Sequence, residues 1–191
     1  MRIKKEQFVK DGIYHIYNHA IDKELLFREE VDYRWFLEKF SLNCKKYPST
    51  VFSYCLMPNH FHFLIRQDSD EPIYKIFNDV NNAYVPHYNF KYYRKGSLYH
   101  GSLQHIAIIK DDYLIYLCQY IHCNPLRAFL VELPEEWEFS NYREWIGIRN
   151  NDIFSDEILR LEFMSKDDYK KTIHTYQDKV NDTKFQHFLF K

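Results

Sequence analysis

Apolar and polar residues repeat with two different periods along the chain, and the switches between them predict its elements. GIYHIYNHA, residues 12–20, is rich in Ile and Tyr and opens on Asp11-Gly12, a turn signal, so it predicts a strand. Residues 29–46 carry Val31, Trp35, Phe36, Phe40 and Leu42 at helical spacing, with Pro48 just beyond, and predict an amphipathic helix. TVFSYCLM (50–57) and HFHFLIRQ (60–67) are β-rich and divided by the turn signal Pro58-Asn59, which predicts an antiparallel pair. Residues 71–93 are helical in period, with Pro86 as an interruption, and QHIAIIK (104–110) predicts a fourth strand. Asp111-Asp112 offers carboxylates to the free amides that begin a helix from Tyr113 to Cys123, and Pro125 stops it because the residue before a proline avoids helical angles. Beyond it, residues 137–147 are aromatic and predict a segment that packs back on the domain. Residues 150–191 are charged and predict one or two short helices, with Ser165 and Asp168 spaced as a capping box.

The order β-α-β-β-α-β-α is the split pattern of a ferredoxin-like α+β fold. It predicts a four-stranded antiparallel sheet, with an added tyrosine-bearing helix and a C-terminal helical tail. The expected organisation is one domain over 1–149 and an extension over 150–191, with no repeat, low-complexity run or flexible linker between them.

The first chemistry comes from the alternation in MPNHFHFLI, residues 57–65. Residues two apart on a strand share a face, with Cα atoms roughly 6.5–7 Å apart. Phe61, Phe63 and Ile65 are natural core; His60, His62 and Leu64 share the other face, where two imidazoles can reach one cation. A solvated pair of histidines would give the same pattern. In the helix that ends YLCQYIHCNPLRA, Tyr116, Tyr120 and Asn124 are four apart and line one stripe. Asn124 offers an amide oxygen, a hard ligand that complements two imidazoles around Mg²⁺ or Mn²⁺. Tyr120 would present its hydroxyl near the same ion, with Tyr116 as the reserve. A phenol with a pKa of about 10 needs activation to act as a nucleophile, and a neighbouring cation can stabilise the charge of its attack on a phosphate. Core packing alone accounts for Tyr116, but not for the amide, the tyrosine and the paired histidines occurring together.

Composition adds three points. The net charge of −1 excludes a global basic field, yet residues 80–110 hold no Asp or Glu and residues 131–170 are dominated by acids, which fits a charged groove on one face. Lys91, Arg94, Lys95 and Lys110 carry the charge of the basic window, with Tyr92, Tyr93 and Tyr99 among them. The start lacks the apolar core of a signal peptide and no apolar run approaches a membrane span, so a cytoplasmic protein with reduced thiols is expected. A zinc site of His60, His62 and Cys118 or Cys123 is a further reading.

With those residues placed, the chain resembles a known family. MPNHFHFLI looks like the His-hydrophobe-His motif of the HUH single-strand nucleases. YIHCNPLRAFLV looks like the tyrosine-helix motif of the small tyrosine transposases of insertion sequences, in the branch associated with repetitive extragenic palindromes. YHIYNHAIDKELLF, GSLYHGSL and EEWEFSNY match further stretches, and the resemblance spans about residues 12–147.

The resemblance implies a metal-dependent transposase that binds hairpin DNA, then cleaves and rejoins single strands through a 5′-phosphotyrosine intermediate. Tyr120 would be the nucleophile, and His60, His62 and Asn124 the ligands of Mg²⁺ or Mn²⁺. The alternative is a catalytically silent hairpin DNA- or RNA-binding module of the same fold. Expected partners are single-stranded or hairpin DNA and a second copy in a homodimer, with no membrane; Lys91, Arg94, Lys95 and Lys110 are then candidate DNA contacts, with Tyr92, Tyr93 and Tyr99 as candidate stacking partners. Two positions depart from the family pattern: His19 stands where an arginine is common, and Ser102 and Gln104 stand where an Arg-x-Lys run is common. Both departures remove positive charge that could contact phosphate.

Overall fold

A computed structural model describes residues 8–109, 112–150 and 165–179. Four strands form one sheet: β1 (Ile13–His19), β2 (Ser49–Met57), β3 (His60–Gln67) and β4 (Gln104–Ile108), in the order β2-β3-β1-β4 with antiparallel neighbours. Helices α1 (Glu30–Lys46) and α2 (Tyr74–Lys91) follow β1 and β3. This is the predicted ferredoxin-like sheet. The Pro58-Asn59 turn sets the β2–β3 register, with Met57 opposite His60. One irregularity falls between Val51 and Ser53.

The two faces of the sheet carry separate cores. On one, Tyr14, Ile16, Phe61, Phe63 and Ile65 pack with Phe36 and Phe40 of α1 and Phe77 and Val80 of α2. On the other, Cys55, Met57 and Leu64 pack with Leu114, Leu117, Cys118 and Ile121 of α3 (Asp112–His122). Burial of a large apolar side chain contributes roughly 1.5–3 kcal/mol, so two such layers fix which face every β3 residue takes. A slip of one residue would exchange His60 and His62 with Phe61 and Phe63.

Pro86 does not interrupt α2. The helix runs through it, carried by the buried Tyr84 and Tyr88, whose hydroxyls donate to the Leu26 and Leu25 carbonyls at 2.5 Å. Proline costs helix stability only where its missing amide and ring disturb the ladder. Tertiary packing on both sides outweighs that cost here.

After α3 come the short α4 (Asn124–Arg127), α5 (Tyr142–Trp145) and α6 (Lys166–Lys179). The aromatic segment does pack back: Phe139 stacks on Tyr33 at 4.0 Å, and the Leu56 amide donates to the Phe139 carbonyl. Ser165 caps α6, accepting the Asp168 amide at 3.1 Å and donating to its carboxylate at 2.6 Å. Tyr169 and Ile173 then bury α6 in the same core as α3. Among the described residues, no helix is long and apolar enough to cross a membrane.

Candidate active site

The α3 face of the sheet leaves a cleft of about 870 Å³ at the end where β3 begins and β1 finishes. His60 and His62 enter it from β3, Tyr17 and His19 from β1, and His100 to Ser102 from the loop before β4. Tyr120 enters from the last turn of α3, with Asn124 and Arg127 from α4. Register explains the first set: Tyr17 lies opposite His62 and His19 opposite His60. Asn124 is not the last turn of α3, because the chain turns at Cys123 (φ −86°, ψ −1°) and Asn124 begins α4. The Asn124 amide nitrogen donates back to the Tyr120 carbonyl at 2.9 Å, which leaves its oxygen for the cleft.

The four expected side chains therefore share one cleft and come from one chain. The His60 and His62 rings are 5.1 Å apart and nearly perpendicular, and the Tyr120 ring lies 5.7 Å from that of His62. The Asn124 side chain lies within hydrogen-bonding reach of both His60 and Tyr120. His60 donates from Nδ1 to the Asn59 amide oxygen at 2.7 Å, since that oxygen can only accept; its Nε2 keeps a lone pair. His62 Nδ1 sits 3.0 Å from Nε2 of the buried His15.

Electrostatics keep these groups neutral. Burial lowers the His60 pKa to about 4, with the Asn124 amide raising it in part and His19 lowering it further. Burial and the neighbouring His15, His60 and Arg127 hold His62 well below the usual range, and burial brings His15 to about 3. Burial raises the Tyr120 pKa, against which the Arg127 guanidinium, 5.1 Å from the ring centre, and the Asn124 side chain act to lower it. No carboxylate lines the cleft among the described residues. Two neutral imidazoles and an amide oxygen are a donor set that suits a divalent ion such as Mn²⁺ or Mg²⁺. Arg127 adds a fixed positive charge beside the tyrosine.

Other expected residues lie elsewhere. Tyr116 is half-buried against the second core and does not line the cleft. Lys91 is held by the buried Asp32 at 2.7 Å and by Glu29 at 3.2 Å, and Tyr92 donates to Asp32 at 2.6 Å. Arg94 pairs with Glu24 at 2.5 Å. Tyr99 is buried in the first core, which removes its ring as an open stacking surface. Lys95 is exposed, and Tyr93 is 99% exposed. None of these lines the cleft, and Lys110 lies outside the described residues, as does Asp111. The acid-free window is thus balanced by carboxylates of distant segments, a pairing invisible to a local charge count. Cys118 and Cys123 sit in the second core with their thiols raised to about 12 by burial, so thiolate ligation is disfavoured. No three His, Cys, Asp or Glu side chains form a metal-binding group among the described residues.

Sequence reasoning passed over His15, Tyr17 and Arg127. The β1 alternation that made a strand of residues 12–20 already put His15 and Tyr17 on one face. Arg127, three residues past Asn124, shares its side of a helical turn.

Comparison with known proteins gives a consistent picture. The sequence model of the IS200-like transposases matches residues 8–124. A Haemophilus influenzae protein provisionally named a REP-associated tyrosine transposase is 22% identical over 149 residues, covering 72% of this chain and 84% of the relative. The solved structure of a REP-associated tyrosine transposase bound to a REP hairpin superimposes with a TM-score of 0.65 at 13% identity, covering 82% of this chain and 96% of that one.

Proposed function

From the premise that this chain belongs to the IS200-like transposase family, we propose that it binds hairpin DNA of the palindromic kind and cuts one strand beside the hairpin, with Tyr120 as nucleophile. The observation that carries this reading is the convergence of His60, His62, Asn124 and Tyr120 in one cleft. His60 Nε2, His62 Nε2 and Asn124 Oδ1 would hold Mg²⁺ or Mn²⁺. Bound there, such an ion supplies Lewis-acid polarisation of a phosphodiester.

The residues do the rest. Tyr120 is braced between the His62 ring and Arg127, so its hydroxyl is placed with little conformational freedom to lose. It attacks phosphorus: the Tyr120 Oη–P bond forms and the P–O3′ bond breaks. The phenolic proton leaves to solvent in the open cleft, and the 3′ oxygen takes one up. Arg127 offers its charge to the phosphate oxygens as the transition state develops. Attack by another 3′ hydroxyl on the 5′-phosphotyrosine reverses the step and rejoins strands without a high-energy cofactor. Away from the cleft lining, Lys95 and Tyr93 are exposed surface for a strand that runs beyond the site. Lys91 and Arg94 are engaged by carboxylates and reach DNA only by exchanging those partners.

The test is a denaturing gel of purified protein mixed with single-stranded hairpin oligonucleotides and Mn²⁺. A covalent adduct that disappears in Tyr120→Phe and with EDTA is expected. Tight hairpin binding with no adduct from any oligonucleotide would favour the silent binding module.

A further inference from the structure

His62 can ligate through Nε2 only if its single proton sits on Nδ1, and among the described residues that nitrogen faces His15. The contact is 3.0 Å long, between side chains 2% and 8% exposed, so water does not substitute for it. The pair is also aligned: the two rings are 5.1 Å apart and 22° from parallel, and Tyr17 stacks on His15 from the cleft side at 5.1 Å. His15 faces Leu64 across the strands, one step diagonal to His62, and so reaches it edge to edge. Between two neutral imidazoles one nitrogen must donate and the other accept. If His15 donated, His62 would turn an N–H toward the cleft and lose its ligating lone pair.

We propose that His15 is a positioning residue that accepts the Nδ1 proton of His62 and thereby presents the His62 Nε2 lone pair to the cleft. This rests on the metal-site reading above. His60 has its own anchor in Asn59, so each ligand has its proton fixed by a different neighbour. Both anchors are neutral, and an acceptor with no charge orients the ring without making it the stronger ligand that a carboxylate partner would.

The experiment uses full-length protein with ¹⁵N-labelled histidine, in wild type, His15→Phe and His15→Gln. Long-range ¹H–¹⁵N spectra of metal-free protein report which nitrogen of His62 carries the proton. Mn²⁺ affinity is measured alongside by electron paramagnetic resonance. The expected result is an Nδ1–H tautomer in wild type, its loss in His15→Phe with a roughly 10- to 100-fold weaker Mn²⁺ affinity, and recovery of both in His15→Gln, whose amide oxygen accepts. Cleavage by His15→Phe should then need more Mn²⁺ but approach the wild-type rate at saturation. An Nε2–H tautomer in wild type, or an unchanged tautomer in His15→Phe, overturns the proposal. So does unchanged Mn²⁺ affinity in His15→Phe where wild type binds. Absence of Mn²⁺ binding in wild type sinks the metal-site reading instead, and the tautomer then decides the proposal by itself.

Discussion

Asn141 ties the tyrosine helix to the sheet, and Asn141→Ala measures how strongly. Its side chain is fully buried. Its oxygen accepts the Tyr54 amide of β2 at 2.7 Å and Nε2–H of His122, the last residue of α3, at 2.9 Å. Its nitrogen donates to the Phe52 carbonyl at 3.0 Å. Truncation leaves the Phe52 carbonyl with the Trp145 indole, which donates at 2.8 Å. The Tyr54 amide and the His122 ring become orphaned donors. An orphaned buried donor costs about 1–3 kcal/mol, and a water entering the vacated space recovers part of it, so the expected loss is about 3 kcal/mol. For a chain of this length that lowers the Tm by about 6–12 °C. Urea denaturation followed by tryptophan fluorescence is the assay, with an unchanged slope against denaturant as the check that the two-state description holds. A loss below about 1 kcal/mol would refute the idea that this clasp holds α3, and with it Tyr120, in place.

Three further outcomes follow from the same reasoning. The buried Asp32 accepts the Arg28 and Glu29 amides, the Tyr92 hydroxyl and Lys91; burial raises its pKa, but these bonds outweigh it and leave it below the usual 3.8. A lowered carboxylate pKa stabilises above the unfolded value and is lost as pH falls, so Asp32→Asn should cost roughly 2–4 kcal/mol at pH 7. The gap from wild type should close as pH drops below 3.8, read by urea titration at a series of pH values. Phe129 follows α4 in the left-handed region at φ 55° and is 94% exposed, so Phe129→Gly should raise stability by about 1 kcal/mol in thermal melts. Arg127→Gln should slow single-turnover strand cleavage about 10- to 100-fold, with Arg127→Lys intermediate.

What the residues disclosed and what they hid divide along the range of the interaction. The strands around Pro58-Asn59 and the face shared by His60 and His62 depend on local alternation, and the structure has them at the expected positions. The run of α2 through Pro86 depends on Tyr84 and Tyr88 reaching carbonyls of the segment after β1, about sixty residues away in sequence. Tyr99 was open to reading as a stacking ring because its neighbours are basic; it is core because it packs on Phe61 of β3. Lys91 and Arg94 carry carboxylates from the start of α1 and from the turn before it. The stripe through Tyr116, Tyr120 and Asn124 assumed one continuous helix, and the turn at Cys123 carries Asn124 into the cleft while Tyr116 stays outside it.

In the proposed mechanism Tyr120 forms the covalent bond to DNA. The most direct measurement is mass spectrometry of protease-digested adduct, made with a hairpin oligonucleotide in Mn²⁺ and trimmed by nuclease. The nucleotide remnant is expected on Tyr120, joined through a phosphodiester. A remnant on Tyr116 or on any other residue would contradict it.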